Sequence, residues 1–351
     1  MNKPRANKRL LVSAVAGLSL LLTACGGGAQ NNSNQAKGED AFEVKNCGET
    51  LHFDKPAERA VTVEQGATDT VLSLGQGGKI AGYGHQKGKT EPKYQDQFKK
   101  LKEISPEIPT TEQIRMVDPD VIISPFKSVY TDDSSGTRAE WHRLGVQTFI
   151  SNIECRDEPE NQGLDGYQLL EKDYEQLGEI FGAHVDAKAM RDKQLAAIKE
   201  AGKVKKDVPK GTKAAVLYSI YEGAPYIAGN ESIAQNMFDI VGLHVRHRGT
   251  ENAFGKVQDP WPEISWEAFA DANPDVIVLA DLPERGSPGD KASEKIDMLK
   301  KDPATRDLDA VVNNRFIIVE GVGLSGSARS LKPLDQIAQG IKDGVITKGD
   351  A

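Results

Sequence analysis
The chain has 351 residues, 44 of them Lys or Arg and 52 Asp or Glu, for a formal net charge of −8. An acidic chain without a basic tract speaks against a nucleic-acid partner and against electrostatic adhesion to a membrane. Neither Cys47 nor Cys155 has a Cys or His at metal-ligand spacing, which speaks against a metal site there.

Lys3, Arg5, Lys8 and Arg9 give a cationic start, and the thirteen residues 10–22 are apolar or small. That run is too short to span a bilayer but suits the core of an export signal. Leu22-Thr23-Ala24-Cys25 resembles the bacterial lipobox, which implies cleavage after residue 24 and diacylation of Cys25. The alternative is an ordinary secretory signal with an incidental cysteine. Losing residues 1–24 removes four basic residues and no acidic ones, so −8 becomes −12 in the mature chain. Two acyl chains suffice for stable attachment. No second apolar run reaches spanning length, so the lipid is the only anchor expected, on the extracytoplasmic face. Residues 25–43, rich in Gly, Asn, Gln and Ser over 26–40, read as a flexible tether. With Cys25 acylated, Cys47 and Cys155 are expected to pair in an exported chain; two free buried thiols are the alternative.

From residue 51 onward, short β-branched runs alternate with amphipathic stretches. In chain order the pattern predicts strand 60–63, helix 69–74, strand 80–83, helix 111–117 and strands 121–124 and 148–150. Strand 214–218, helices 232–241 and 266–272, and strands 276–280 and 316–319 follow. Such alternation reads as parallel α/β sheets. Between the halves lie two helical stretches. Over 167–181, Leu170, Tyr174, Leu177 and Phe181 share one stripe; Gly182 interrupts, and 185–203 continues. The second stretch would reach about 28 Å, enough to bridge two lobes. The expected organisation is an N-terminal lobe over 44–182, an inter-lobe helix over 183–205 and a C-terminal lobe over 206–351.

The chain also repeats itself. Glu112-Gln-Ile-Arg-Met-Val-Asp-Pro119-Asp-Val-Ile-Ile123 matches Glu267-Ala-Phe-Ala-Asp-Ala-Asn-Pro274-Asp-Val-Ile-Val278. Each reads as a helix stopped by a proline, then a buried strand. Two similar lobes would explain the match; so would the common helix–Pro–strand grammar of α/β folds.

Arg59-Ala-Val-Thr-Val-Glu-Gln-Gly-Ala-Thr-Asp-Thr-Val-Leu-Ser-Leu-Gly75 followed by Ile80-Ala-Gly-Tyr-Gly84 resembles the opening lobe of helical-backbone substrate-binding proteins. These are the receptors of ABC importers for ferric siderophores, haem and cobalamin. Both Pro-Asp-Val-Ile units also match, as do Leu308-Asp-Ala-Val-Val-Asn-Asn-Arg-Phe-Ile-Ile-Val319 and the cysteine contexts Asn46-Cys-Gly and Glu154-Cys. The similarity covers about residues 44–345. It implies two Rossmann-like lobes joined by a long rigid helix, with the ligand in the cleft between them. It also implies a dimeric permease and its ATPase as partners, docked through one surface glutamate per lobe, here Glu112 and Glu267.

Ligands of open α/β sheets sit outside the carboxyl ends of the strands. That rule nominates loops 64–66, 85–87 and 126–130 with Arg156 in the first lobe, and loops 221–222, 281–285 and 323–329 in the second. Within them Glu64, Gln65, His85, Lys127, Tyr130, Tyr221, Arg285 and Arg329 are the candidates, and Trp261, on the approach to helix 266–272, adds an aromatic surface. Cations at Lys127, Arg156, Arg285 and Arg329 would suit an anionic metal chelate such as a ferric siderophore. Tyr130, Tyr221 and Trp261 would give it flat contact. Cobalamin, a phosphorylated deazaflavin precursor and haem are alternatives, the last with His85, Tyr130 or Tyr221 as axial group. Each nominated residue also has a plain structural reading, as solvated surface or core. His244 and His247 stand beside Arg246 and Arg248 and read as structural or exposed rather than as metal ligands. The chain has no G-x-S-x-G elbow, P-loop or dinucleotide fingerprint, so neither an enzyme nor a cofactor is expected. A sensor or adhesin on the same fold is the competing class.

Overall fold
The computed structural model describes residues 41–229, 232–244, 261–282 and 289–346. The export signal, the lipidation candidate Cys25, Arg285 and His247 therefore lie outside the described residues.

The first element begins two residues inside the stretch read as tether. Strands β1 (Phe42–Asn46) and β2 (Glu49–Phe53) form an antiparallel hairpin in which Asn46 pairs with Glu49. Its two-residue turn, Cys47-Gly48, has positive φ at both positions, the primed geometry that matches strand twist. Cys47 is disulfide-bonded to Cys155, with Cα atoms 5.4 Å apart. The pair pins the hairpin to the segment after the first lobe's last strand.

The first lobe holds β3 (Ala60–Val63), α1 (Gln65–Ser73), β4 (Ile80–Gly84), α2 (Gln95–Phe98), β5 (Glu103–Ser105), α3 (Thr111–Arg115), β6 (Val121–Ser124), α4 (Arg138–Arg143) and β7 (Gln147–Ile150). Its sheet is parallel throughout, in the order β5-β4-β3-β6-β7. Every residue of β3, β6 and β7 is buried. Continuous burial, rather than alternation, is what helices on both faces of a parallel sheet produce.

Two helices follow, α5 (Gly166–Phe181) and α6 (His184–Ala201). Gly182, at φ 66°, ends α5 in the left-handed conformation, and Gly178 lets α6 approach: a Cβ there would stand 2.6 Å from that of Ala187. Helix α5 touches both halves. At its start, Gly166 N donates to Asn236 Oδ1 (2.9 Å) and Tyr167 OH to the Ser330 carbonyl (3.3 Å). Near its end, the Ile180 carbonyl accepts from Ala57 N (2.7 Å) and that of Phe181 from Lys79 Nζ (2.9 Å). Helix α6 runs back along it, Gln194 Nε2 donating to the Tyr167 carbonyl at 2.8 Å. The long helix thus has a partner laid antiparallel against it.

The second lobe holds β8 (Ala214–Tyr221), β9 (Ala224–Ile227), α7 (Ile233–Val241), α8 (Trp266–Ala272), β10 (Val276–Asp281), α9 (Ala292–Lys301), α10 (Asp309–Val312), β11 (Phe316–Glu320) and α11 (Leu331–Lys342). Strand order is β11-β10-β8-β9, parallel except for β9. One apolar cluster runs through both lobes, from Leu72 and Val121 past Tyr167 and Tyr174 to Val276 and Leu334.

The repeat is a repeat in space. Thr110 and Ser265 cap α3 and α8, and Asp118 and Asn273 both take positive φ just before the proline. The aspartates after the prolines do the same work: Asp120 Oδ2 accepts from Glu58 N (2.7 Å) and Asp275 Oδ2 from Lys213 N (2.7 Å), each beside the first strand of its own sheet. Among the described residues, no helix is long and apolar enough to cross a membrane.

Candidate functional site
Strand β3 ends at Val63, and the chain must turn at once into α1. Glu64 makes that turn at φ 79° and ψ 148°, a region that a side chain occupies at a cost of order 1–3 kcal/mol. The turn places the carboxylate at the carboxyl end of the sheet, nearly buried. His85, at φ 58° just after β4, brings its Nδ1 to 3.0 Å from Glu64 Oε1, and Lys87 Nζ stands 3.4 Å from the same oxygen. Burial pushes the Glu64 carboxyl up, but His85 and Lys87 outweigh it and hold it below the usual carboxylate range. For Lys87, burial lowers and Glu64 raises; the ammonium ends above its ordinary value. Both groups are charged at neutral pH.

Across the cleft, β8 and β9 carry a set of aromatic side chains. Tyr218 stacks on Trp261 with ring centroids 4.1 Å apart, Tyr226 OH donates to Glu263 Oε2 (2.7 Å), and Tyr221 is exposed. Glu64, Gln65, Lys87 and Phe126 from the first lobe, with Tyr218, Tyr221, Tyr226 and Trp261 from the second, enclose a cavity of about 310 Å³. On the far side of Lys87 the cleft widens into a second space of about 550 Å³, walled by Lys87, Lys89 and Lys291 and by Asp281 and Glu320. Asp281 Oδ1 already accepts from Ala292 N at 2.9 Å, and Glu320 meets Arg329 at 3.2 Å.

Of the candidates, Glu64, Gln65, Tyr221 and Trp261 line one cavity, and His85 stands behind Glu64. The others do not join them. Tyr130 is a correction: it is buried in the first lobe, its OH donating to the carbonyls of Ile122 and Phe149 (2.9 Å each), and offers no face to the cleft. Arg329 is a second. It is 3% exposed and bound to Asp69 (3.1 Å), Glu320 and the Lys89 carbonyl, so its fork is already filled. Lys127 lies outside the cavity wall, 3.5 Å from Asp157, and Arg156 is half-buried beside Gly166, also away from the cavity. The cationic wall expected from these residues is replaced, among the described ones, by Lys87 with Lys89 and Lys291. Lys87 and Phe126 stand in the nominated loops 85–87 and 126–130, whereas Tyr218 and Tyr226 lie outside every nominated loop. For Tyr218 the available signal was an aromatic near the carboxyl end of a strand, obscured because β8 runs three residues beyond its expected end. Among the described residues, no three His, Cys, Asp or Glu side chains gather closely enough to hold a metal ion.

A family model described as periplasmic binding protein matches residues 61–321. No curated protein sequence matches the chain. Among solved structures, a periplasmic binding protein from Veillonella parvula is 23% identical with a TM-score of 0.71, over 88% of this chain and 98% of that one. An ABC-type Fe3+-hydroxamate transport protein from Saccharomonospora viridis is 21% identical, TM-score 0.67, over 85% and 98%. The haem-binding protein RhuT from Roseiflexus is 18% identical, TM-score 0.60, over 83% and 100%. At these identities the likeness is one of fold.

Proposed function
Because the chain belongs to the periplasmic binding protein family, extracytoplasmic solute receptors of ABC import rather than enzymes, we propose that it captures a ferric siderophore between its lobes. One observation carries this reading: an aromatic platform, Tyr218 on Trp261, faces the Lys87 ammonium across a cavity open to a larger, lysine-walled space. A metal chelate offers flat organic faces to the first and anionic ligand atoms to the second. The similarity to an Fe3+-hydroxamate transport protein from Saccharomonospora viridis adds support. Haem is the second reading, favoured by one feature: Tyr221, exposed on the cavity wall, offers a phenol oxygen of the kind that serves as an axial iron ligand.

Delivery is to a permease dimer with its ATPase, through Glu112 and Glu267, both exposed at the second position of their helices. Retention at the membrane is through Cys25, so Cys25→Ala releases the protein to the soluble exported fraction. Trp261 supplies the assay. Its fluorescence should be quenched saturably by a ferric hydroxamate or catecholate and not by the iron-free chelator. Quenching by haemin alone, with a Soret shift lost in Tyr221→Phe, would replace this reading with the second.

A further inference from the structure
Glu64 and His85 are both non-glycine residues at positive φ, and their side chains meet. Two unfavourable backbone conformations converge on one contact, a pattern found where the local geometry is used. The contact is over-supplied. The Oε1 of the nearly buried Glu64 has two partners, the His85 ring at 3.0 Å and the Lys87 ammonium at 3.4 Å, two residues apart on one loop. They differ in freedom. The His85 side chain is 18% exposed and its backbone N–H is tied to the Ser105 carbonyl; the Lys87 side chain is 45% exposed, on a flexible stem. Of the two, only Lys87 lines the cavities. The other titratable groups that act on Lys87 are Tyr218 and Asp290, both from the second lobe, and neither is a cation that could replace it beside Glu64.

We infer that Lys87 is an exchangeable counter-ion: an anionic ligand draws its ammonium away from Glu64, and His85 takes up a proton and holds the carboxylate in its place. The inference rests on the anionic-chelate reading. Nδ1 faces Glu64, so the proton arrives from solvent at Nε2 and the ring becomes a cation without moving. Without that proton, a nearly buried carboxylate would lose its only charged partner, which is strongly unfavourable. Capture is thereby linked to proton uptake and tightens as pH falls.

Lys87→Met tests the exchange without any ligand. In that variant His85 alone can neutralise Glu64, so its charged form is favoured on folding. The stability it contributes is present at low pH and lost as pH rises. Relative to the parent, the thermal midpoint of Lys87→Met should fall little at pH 5.5 and several degrees further at pH 8.5. The double variant Glu64→Gln/Lys87→Met should lose that pH dependence. A difference that stays constant between the two pH values overturns the inference. Calorimetry with the iron(III) complex of 2,3-dihydroxybenzoate, in phosphate and Tris at pH 7.5, tests the linkage. Uptake approaching one proton per complex bound is expected, and none in His85→Gln; binding without proton uptake in the parent overturns the linkage. If that complex does not bind, the ligand reading fails while the stability result still decides the exchange.

Discussion

Arg329 sits in the turn before α11, and its guanidinium crosses from the second lobe to Asp69 in the first, with both side chains 2% exposed. Removing one partner of such a pair leaves the other charge buried, so Arg329→Met should cost about 3–5 kcal/mol in urea unfolding. A loss below about 1 kcal/mol would show that the pair is dispensable. Burial pushes Asp69 up to about 7 despite the opposing pull of Arg329, with Glu91 and Glu320 adding to the rise. Asp173 is pushed to about 6, again chiefly by burial, against hydrogen bonds from Ser151 and Asn152. Both folded-state values exceed the ordinary carboxylate value near 4. Between about pH 4 and 7 these two carboxyls therefore bind more protons in the folded protein than in the unfolded chain, and the stability they contribute rises as pH falls. The thermal midpoint should be higher at pH 5 than at pH 8, with a smaller difference in Asp173→Asn. Site residues were legible only by place. The loops named by the strand-end rule include Glu64, Gln65, Lys87, Phe126 and Tyr221, which line one cavity, but an arginine meant for a ligand and one meant for a buried aspartate look alike in one dimension.

At the scale of elements, the seven predicted strands all form, because continuous β-branched runs are what a doubly covered sheet requires. The strands that escaped notice lie at edges or outside the main sheets. Strand β5 has three residues, β9 contains Pro225, and β1 and β2 alternate in burial around a Cys-Gly turn instead of the familiar Asn-Gly. Edge strands need fewer apolar residues and tolerate proline, so their signal is weak. The hairpin depends on its cross-link. The bridge spans 108 residues, and in the chain-entropy model such a loop is worth about 4–5 kcal/mol. Cys47→Ala/Cys155→Ala should lose stability on that order, and unreduced peptide mapping of the parent should find the two cysteines joined. Free alkylation of both thiols in the native protein would contradict the pairing.

For the whole molecule, the paired helices α5 and α6, the shared apolar cluster and the Arg329–Asp69 link tie the lobes together at several levels. Such a body is expected to close by only a few ångströms on binding, and under the proposed docking the spacing of Glu112 and Glu267 would report on the lobes. Glu112→Arg/Glu267→Arg should abolish uptake by cells while the purified protein binds ligand as before. Normal uptake would remove these residues from docking. The internal match between the two Pro-Asp-Val-Ile units made the bilobal plan legible, and the space-related caps, positive-φ residues and strand-start aspartates give it a physical cause. The cleft was harder to read, since its aromatic wall and its lysine meet only when two lobes far apart in sequence face each other. Its assignment as the capture site is tested most directly by calorimetric titration of the parent, Trp261→Ala and Lys87→Met with a ferric catecholate. The expected result is saturable binding by the parent, weakened at least tenfold in each variant with circular dichroism unchanged; for Lys87→Met this is consistent with about 1.5–3 kcal/mol for a hydrogen bond to a charged group. Equal affinity in all three proteins would contradict it and move the ligand out of the cleft.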